Sequence, residues 1–150
     1  MGNDRHEHPR PAGAAPSNDR WHRDRIPSLA RQLPRLRQEL AGWAARVGMV
    51  PEDVKDLVLA CHEAMANVVD HAYDGDGDFD LDAVWAAERQ QVTVTVTDHG
   101  RWKPAANEAP SLRGRGLKII RGLAHAVALT HDAAGTRVVM SWRVLPADAR

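Results

Sequence analysis

The chain has 150 residues, with 20 basic side chains, 20 acidic side chains and a single cysteine, Cys61. The balanced charge excludes a global field that would recruit nucleic acid or an anionic membrane, and a lone cysteine excludes a disulfide framework. No apolar run approaches the length of a transmembrane helix, and no secretory leader is recognisable. We therefore expect one soluble, cytoplasmic domain with a substantial core.

The first 25 residues differ in composition from the rest. They are rich in His, Pro, Arg and Asp and nearly lack aliphatic side chains. Such a segment buries too little apolar area to offset its ordering entropy. We expect a disordered polar tail over residues 1–25 and a folded domain over residues 26–150.

Two amphipathic helices come next. Apolar residues recur at intervals of three and four over residues 33–47, which predicts the first helix. Pro51 opens the second, with acidic residues at its positive end. Its apolar stripe contains Cys61, which we assign to the core. A neighbouring polar stripe carries Glu63, Asn67 and His71 at intervals of four.

The remainder of the chain is predominantly strand. Apolar and polar residues alternate over residues 79–85 and 92–97, which predicts two strands joined as a hairpin. Residues 99–115 lack periodicity and predict a long loop. A helix over 117–124 and strands near 126–131 and 136–144 complete the chain. This order predicts an α/β two-layer sandwich, with a mostly antiparallel sheet and helices on one face.

Three separated polar clusters suit different parts of a nucleotide. Glu63 and Asn67 are four residues apart and share one helix face, where a carboxylate and an amide oxygen can hold water and a hard cation such as Mg²⁺. Asp98 ends a strand and can accept a hydrogen bond from an exocyclic amine. Gly114 and Gly116 are expected to open the next helix, where free backbone N–H groups favour phosphate.

In that order, the clusters resemble the N, G1 and G2 boxes of the Bergerat-fold (GHKL) ATPases. The run Glu63-Ala-Met-Ala-Asn67 is similar to the N box of the anti-sigma-factor serine/threonine protein kinases, which carry a histidine kinase-like ATPase domain. Arg113-Gly-Arg-Gly-Leu117 is similar to their G2 box, and Gly135-Thr136 to the pair that opens their last strand. The resemblance covers roughly residues 26–145.

The resemblance implies a role for each matching residue. Asn67 would bind the Mg²⁺ that bridges the ATP phosphates, and Glu63 would orient or deprotonate the attacking hydroxyl. Asp98 would read adenine, Thr136 would assist through water, and Gly100 would admit the base. The phosphate-binding set would be Arg113, Gly114, Arg115, Gly116 and Leu117. Arg37, with Arg35 as the neighbouring candidate, would contact a partner protein.

The implied function is phosphorylation of a serine on an anti-sigma-factor antagonist, with sequestration of a sigma factor and a possible homodimer. A non-catalytic ATP-binding regulatory module is the alternative, because Trp102 occupies a position where the family often has a second glycine. The catalytic subdomain of a histidine kinase fits less well, since no dimerisation helix with a phosphoacceptor histidine precedes the domain.

Overall fold

A computed structural model of the chain describes residues 18–71, 77–100 and 111–145. Five strands form one sheet in the order β1-β2-β3-β5-β4, and every neighbouring pair is antiparallel. The strands are β1 Asn18–Pro27, β2 Asp78–Ala86, β3 Gln91–Asp98, β4 Ala126–Asp132 and β5 Gly135–Arg143. The helices are α1 Leu33–Arg46, α2 Pro51–His71 and α3 Ser111–Leu123. The predicted α/β fold with a mostly antiparallel sheet is confirmed.

The core lies between the helices and one face of the sheet. Alternation along β2 puts Phe79, Leu81 and Ala83 on the buried face, as predicted. The periodicity of α1 buries Leu40 and Trp43. From α2, the buried residues are Leu57, Ala60, Cys61, Ala64, Met65 and Val68. Cys61 is therefore a core residue, and its burial raises the pKa of the thiol. No helix within the described ranges is long and apolar enough to cross a membrane.

Strand β1 corrects one prediction. The tail was expected to be disordered through residue 25, yet β1 begins at Asn18 and residues 18–23 pair with β2 at the edge of the sheet. Trp21 and Ile26 are its buried side chains, and the indole N–H of Trp43 donates to Asp19 Oδ1 at 2.8 Å. Composition missed this strand because backbone pairing and polar contacts supply much of its stabilisation. Residues 1–17 of the predicted tail lie outside the described ranges.

Helix α3 corrects a second prediction, because it begins at Ser111 and not near residue 117. The expected loop therefore ends by residue 110, and its residues 101–110, with Trp102, are not among those described. Gly114 and Gly116 favoured a helix that begins near residue 117, since glycine is a weak helix former. The close packing of Gly116 against α2 explains instead why a glycine lies inside the helix.

Asp80, on the outer face of β2, connects β1 to the end of β3. Its Oδ1 accepts the backbone N–H of Arg25 at 2.9 Å, and its Oδ2 lies 3.2 Å from His99 Nε2. Arg25 sits at a register shift in β1 with a φ of 51°. Partial burial would raise the pKa of Asp80, but these two contacts and the electrostatic effect of His22 outweigh it and lower the pKa.

We predict that Asp80→Asn lowers the free energy of unfolding at pH 7 by up to about 1 kcal/mol. The folded-state pKa lies below the unfolded one, so the carboxylate stabilises the fold above about pH 4 and this contribution disappears in acid. Urea unfolding at pH 7 and pH 3 measures the difference. Asp56→Asn is the control, and a deficit that persists undiminished at pH 3 contradicts the assignment.

Candidate functional site

The first part of the site lies where β3 ends beside β5. Asp98 pairs with Thr136 across the two strands, and both residues are almost fully buried, with exposed fractions of 2% and 3%. Asp98 Oδ1 accepts the backbone N–H groups of Gly100 at 3.1 Å and Thr136 at 3.3 Å. Two amides therefore fix the carboxylate at the sheet end, where it can recognise a donor group.

Gly135 makes this pairing possible. Its φ is +138°, and a Cβ built on it would lie 1.9 Å from the carbonyl oxygen of Asp98. Only glycine fits such a conformation and such a close backbone approach. The Gly-Thr pair at the start of β5 is thus explained by the geometry around Asp98.

The second part of the site is a close approach of α2 and α3. A Cβ on Gly116 would lie 2.9 Å from Asn67 Nδ2 and 3.3 Å from Asn67 Oδ1. The missing side chain therefore makes room for the Asn67 amide. Glu63 lies one helical turn earlier on α2, and both side chains are half-buried. The structure thus brings the predicted N-box asparagine against the predicted G2-box glycine.

We infer from the lengths of α2 and β3 that the two parts lie at the same end of the molecule. Val50 and Asp53, at the start of α2, line one cavity with Gln91, at the start of β3. From there, α2 advances about 24 Å to Asn67 at 1.5 Å per residue. Strand β3 advances about 23 Å to Asp98 at about 3.3 Å per residue. Since α2 packs on β3, Asn67 and Asp98 both lie at the far end of the helix and sheet layers.

The remaining G2-box predictions have mixed outcomes. Gly114 lies in the first turn of α3, as expected of a residue that opens the helix, whereas Gly116 lies in the second turn and does not open it. The free N–H groups of this terminus belong to residues 111–114. Leu117 is half-buried next to Gly116. The side chains of Arg113 and Arg115 are not described, and their phosphate role stays a prediction.

Arg37 lies beside the helix that carries Glu63. Its Nη1 is 3.0 Å from Nδ1 of His62, the residue immediately before Glu63. A guanidinium can only donate, so Nδ1 of His62 is the acceptor in this contact. The alternative candidate, Arg35, is exposed and lies 3.6 Å from Glu39 in an ion pair. Partner binding by either residue stays a prediction.

Sequence reasoning missed two histidines near Asp98, one on the neighbouring strand β4 and one directly after β3. His131 Nδ1 lies 2.8 Å from Thr136 Oγ1, across the β4–β5 pair. His99 follows Asp98 and contacts Asp80 on β2. The short connection between β4 and β5 places residues 131 and 136 opposite each other, so hairpin register could have identified the first contact. The two contacts hold Thr136 and His99, which are the neighbours of Asp98 across the sheet and along the chain.

The sequence profile of the histidine kinase-like ATPase domain family matches residues 26–142. The chain belongs to this family. Membership in this family implies ATP binding.

Individual relatives agree with the family assignment. The chain is 34% identical over 76 residues to the serine-protein kinase RsbW of Halalkalibacterium halodurans, covering 51% of this chain and 46% of the relative. It is 32% identical over 76 residues to RsbW of Bacillus cereus, covering 51% of this chain and 47% of the relative. The matches span about half the length of these curated relatives.

Solved structures agree on the fold. The crystal structure of the RsbU and RsbW domains of a Mycobacterium tuberculosis protein matches with a TM-score of 0.69 and 26% identity. That match covers 86% of this chain and 34% of the other. A blue-light activated histidine kinase from Erythrobacter litoralis matches with a TM-score of 0.59 at 22% identity, covering 81% of this chain and 43% of that one. The second similarity concerns the fold alone.

We predict that Gly116→Ala weakens ATP binding by roughly tenfold. The new Cβ would lie 2.9 Å from Asn67 Nδ2, so the flexible amide must move while the backbone stays in place. Gly122→Ala, on the same helix with nothing within 4 Å of its Cβ, is the matched control. It should keep ATP affinity and gain about 0.5–1 kcal/mol of stability. Calorimetric titration with Mg-ATP compares the variants, and equal affinities would remove Asn67 from the site.

Proposed function

We propose that this chain is an ATP-dependent serine/threonine protein kinase of the anti-sigma-factor type. It transfers the γ-phosphate of ATP to a serine of an antagonist protein, and it sequesters a sigma factor in the cytoplasm. The observation that carries the proposal is the packing of Asn67 against Gly116, beside Glu63 on the same helix face. Similarity to proteins named serine-protein kinase RsbW supports it.

The adenine would be read by Asp98. Its Oδ1 is already held by two backbone amides, so the carboxylate is oriented before a ligand arrives. An exocyclic amine donates to such a group, and the guanine carbonyl at the equivalent position cannot. Gly135 lets β5 approach the backbone of Asp98 closely, and Thr136 offers its hydroxyl at the same edge. Gly100 would let the backbone come close to the base.

The phosphates and their cation would lie between α2 and α3. The residues present fit Mg²⁺, which takes a few protein oxygens together with phosphates and water. Asn67 offers one neutral oxygen beside Gly116 of α3, which has no side chain. The described residues contain no cluster of three or more His, Cys, Asp or Glu suited to a metal, and a nucleotide-bridged cation does not require one. When bound, Mg²⁺ neutralises charge on the phosphates.

The chemistry would then rest on Glu63. Phosphoryl transfer depends mainly on positioning and electrostatic stabilisation, and a carboxylate is needed to orient the attacking hydroxyl and accept its proton. Glu63 lies one turn from Asn67, so it can hold a serine hydroxyl next to the phosphates that Asn67 and the α3 terminus would bind. In this way the serine hydroxyl gives its proton to the Glu63 carboxylate as the γ-phosphoryl group passes from ATP to the serine oxygen and ADP is left.

Protein partners would approach along α1 and α2. Arg37 lies next to His62 and therefore close to Glu63, which suits contact with the antagonist or the sigma factor. A second copy of the chain is a further proposed partner. On the outer face of the sheet, Asp80 and Arg137 flank Thr97 in one row of the β2-β3-β5 register. A twofold axis along β3 would place Asp80 of one chain opposite Arg137 of the other, and Arg137 opposite Asp80.

We predict that Glu63→Gln keeps Mg-ATP affinity but lowers phosphotransfer by about a hundredfold or more. The amide preserves the shape and loses the negative charge that accepts the proton. The assay incubates labelled ATP with the antagonist protein that copurifies from the native cell. Glu52→Gln, at the exposed start of the same helix, is the control. Transfer by Glu63→Gln at the wild-type rate would exclude a catalytic role, and ATP binding without transfer by the wild type would favour a regulatory module.

We predict that ATP binds at least about a hundredfold more tightly than GTP. With guanine, the Asp98 carboxylate would face a carbonyl, and two acceptors would be opposed in a buried position. Asp98→Asn should reduce the difference between the ATP and GTP affinities, because an amide can also donate a hydrogen bond to the guanine carbonyl. Competition against labelled ATP measures both affinities, with Asp132→Asn as a control at the end of an exposed strand. Equal displacement by GTP and ATP in the wild type would remove Asp98 from base recognition.

A further inference from the structure

A cavity of about 640 Å³ lies at the end of the sheet opposite Asp98. It is formed where α2 begins, β3 begins and β5 ends, about 23 Å along β3 from the proposed base-binding residue. Its volume falls within the range of small-molecule sites in proteins. None of the residues that line it belongs to the proposed nucleotide site.

Three basic side chains reach this cavity from three different elements. They are Arg89, in the turn between β2 and β3; Arg143, at the end of β5; and His125, just before β4. Two short hydrogen bonds connect these elements. Val144 N–H donates to Gln90 O at 2.7 Å, and Arg143 N–H donates to His125 Nδ1 at 2.8 Å. The backbone therefore holds the three basic groups together around one space.

The two guanidinium groups are available to a ligand. Among the described residues, neither Arg89 nor Arg143 makes a side-chain hydrogen bond or ion pair, whereas Arg20 and Arg23 are each paired with a carboxylate. His125 accepts at Nδ1, so in its neutral form Nε2 carries a proton and can donate. The polar side of the cavity is thus rich in donors, which favours an anion.

The other residues that line the cavity limit the charge of that anion and favour one that carries an apolar group. Among the described residues that line the cavity, Asp53 is the only carboxylate, so with His125 neutral their charged side chains sum to +1. A dianion would be opposed by Asp53. Val50, Ala126 and Leu145 supply apolar surface, and Leu145 is 45% exposed. A ligand with a hydrocarbon body would cover this surface and gain free energy from its burial.

We propose that this cavity is a second ligand site, which binds a small organic carboxylate with an apolar chain. The carboxylate accepts hydrogen bonds from Arg89, Arg143 and His125, and the chain packs on Val50, Ala126 and Leu145. Gln91 and Ser141 offer further polar contacts at the rim. The site is independent of the proposed kinase activity, because it lies at the other end of the domain.

The test uses hexanoate as the probe and the full chain labelled with ¹⁵N. Titration at pH 7 and constant ionic strength should give saturable shifts of the amides of Gln91, Ala126 and Ser141. Hexylammonium should give none. The double variant Arg89→Gln, Arg143→Gln should weaken hexanoate binding at least about tenfold. Arg121→Gln, which removes an exposed charge on α3 outside the cavity, should leave hexanoate binding unchanged.

Several outcomes would overturn this site. They are shifts that rise linearly without saturation, equal binding of hexylammonium, and hexanoate affinity that the double substitution does not alter. Saturation by inorganic phosphate but not by hexanoate would also reject it, since the apolar chain would then have no role. Thermal unfolding of each variant checks that the fold is intact, and unchanged Mg-ATP affinity separates the result from the proposed nucleotide site.

Discussion

The burial of one face of α2 against the sheet is the constraint on which the candidate site depends. Leu57, Cys61 and Met65 are fully buried, so the rotation of this helix about its axis is fixed by core packing. Glu63 and Asn67 lie on the adjoining face of the same helix. Their direction is therefore set by hydrophobic contacts that take no part in chemistry. A core substitution that rotated α2 would move both polar side chains away from α3 and from the end of the sheet.

The sequence predicted most of this architecture because both helix and strand periodicities are strong where one face is buried. The alternation in β2 and β3 and the three-four spacing in α1 identified those elements. β1 was missed because only Trp21 and Ile26 bury apolar area on it. The start of α3 was missed because local glycine propensity was outweighed by tertiary packing against Asn67.

For the site, sequence resemblance named residues that the fold brings together in pairs, Asp98 with Thr136 and Asn67 with Gly116. It did not identify the contacts of His62 with Arg37 or of His131 with Thr136, since these depend on positions that are distant along the chain or opposite in register. Side chains that support others carry no signature in a single sequence. Their identification requires coordinates.

The two outer strands of the sheet differ in a way that affects the behaviour of the protein at high concentration. β1 carries several basic and acidic side chains and a bulge after Arg23, and both features oppose the addition of a further strand. β4 has a regular register with β5, and the run Ala126 to Leu129 along it is largely exposed. Within the described part of the chain, β4 is therefore the edge most open to pairing between partly unfolded copies. The substitution Leu129→Lys would place a charge on this edge and protect it against aggregation.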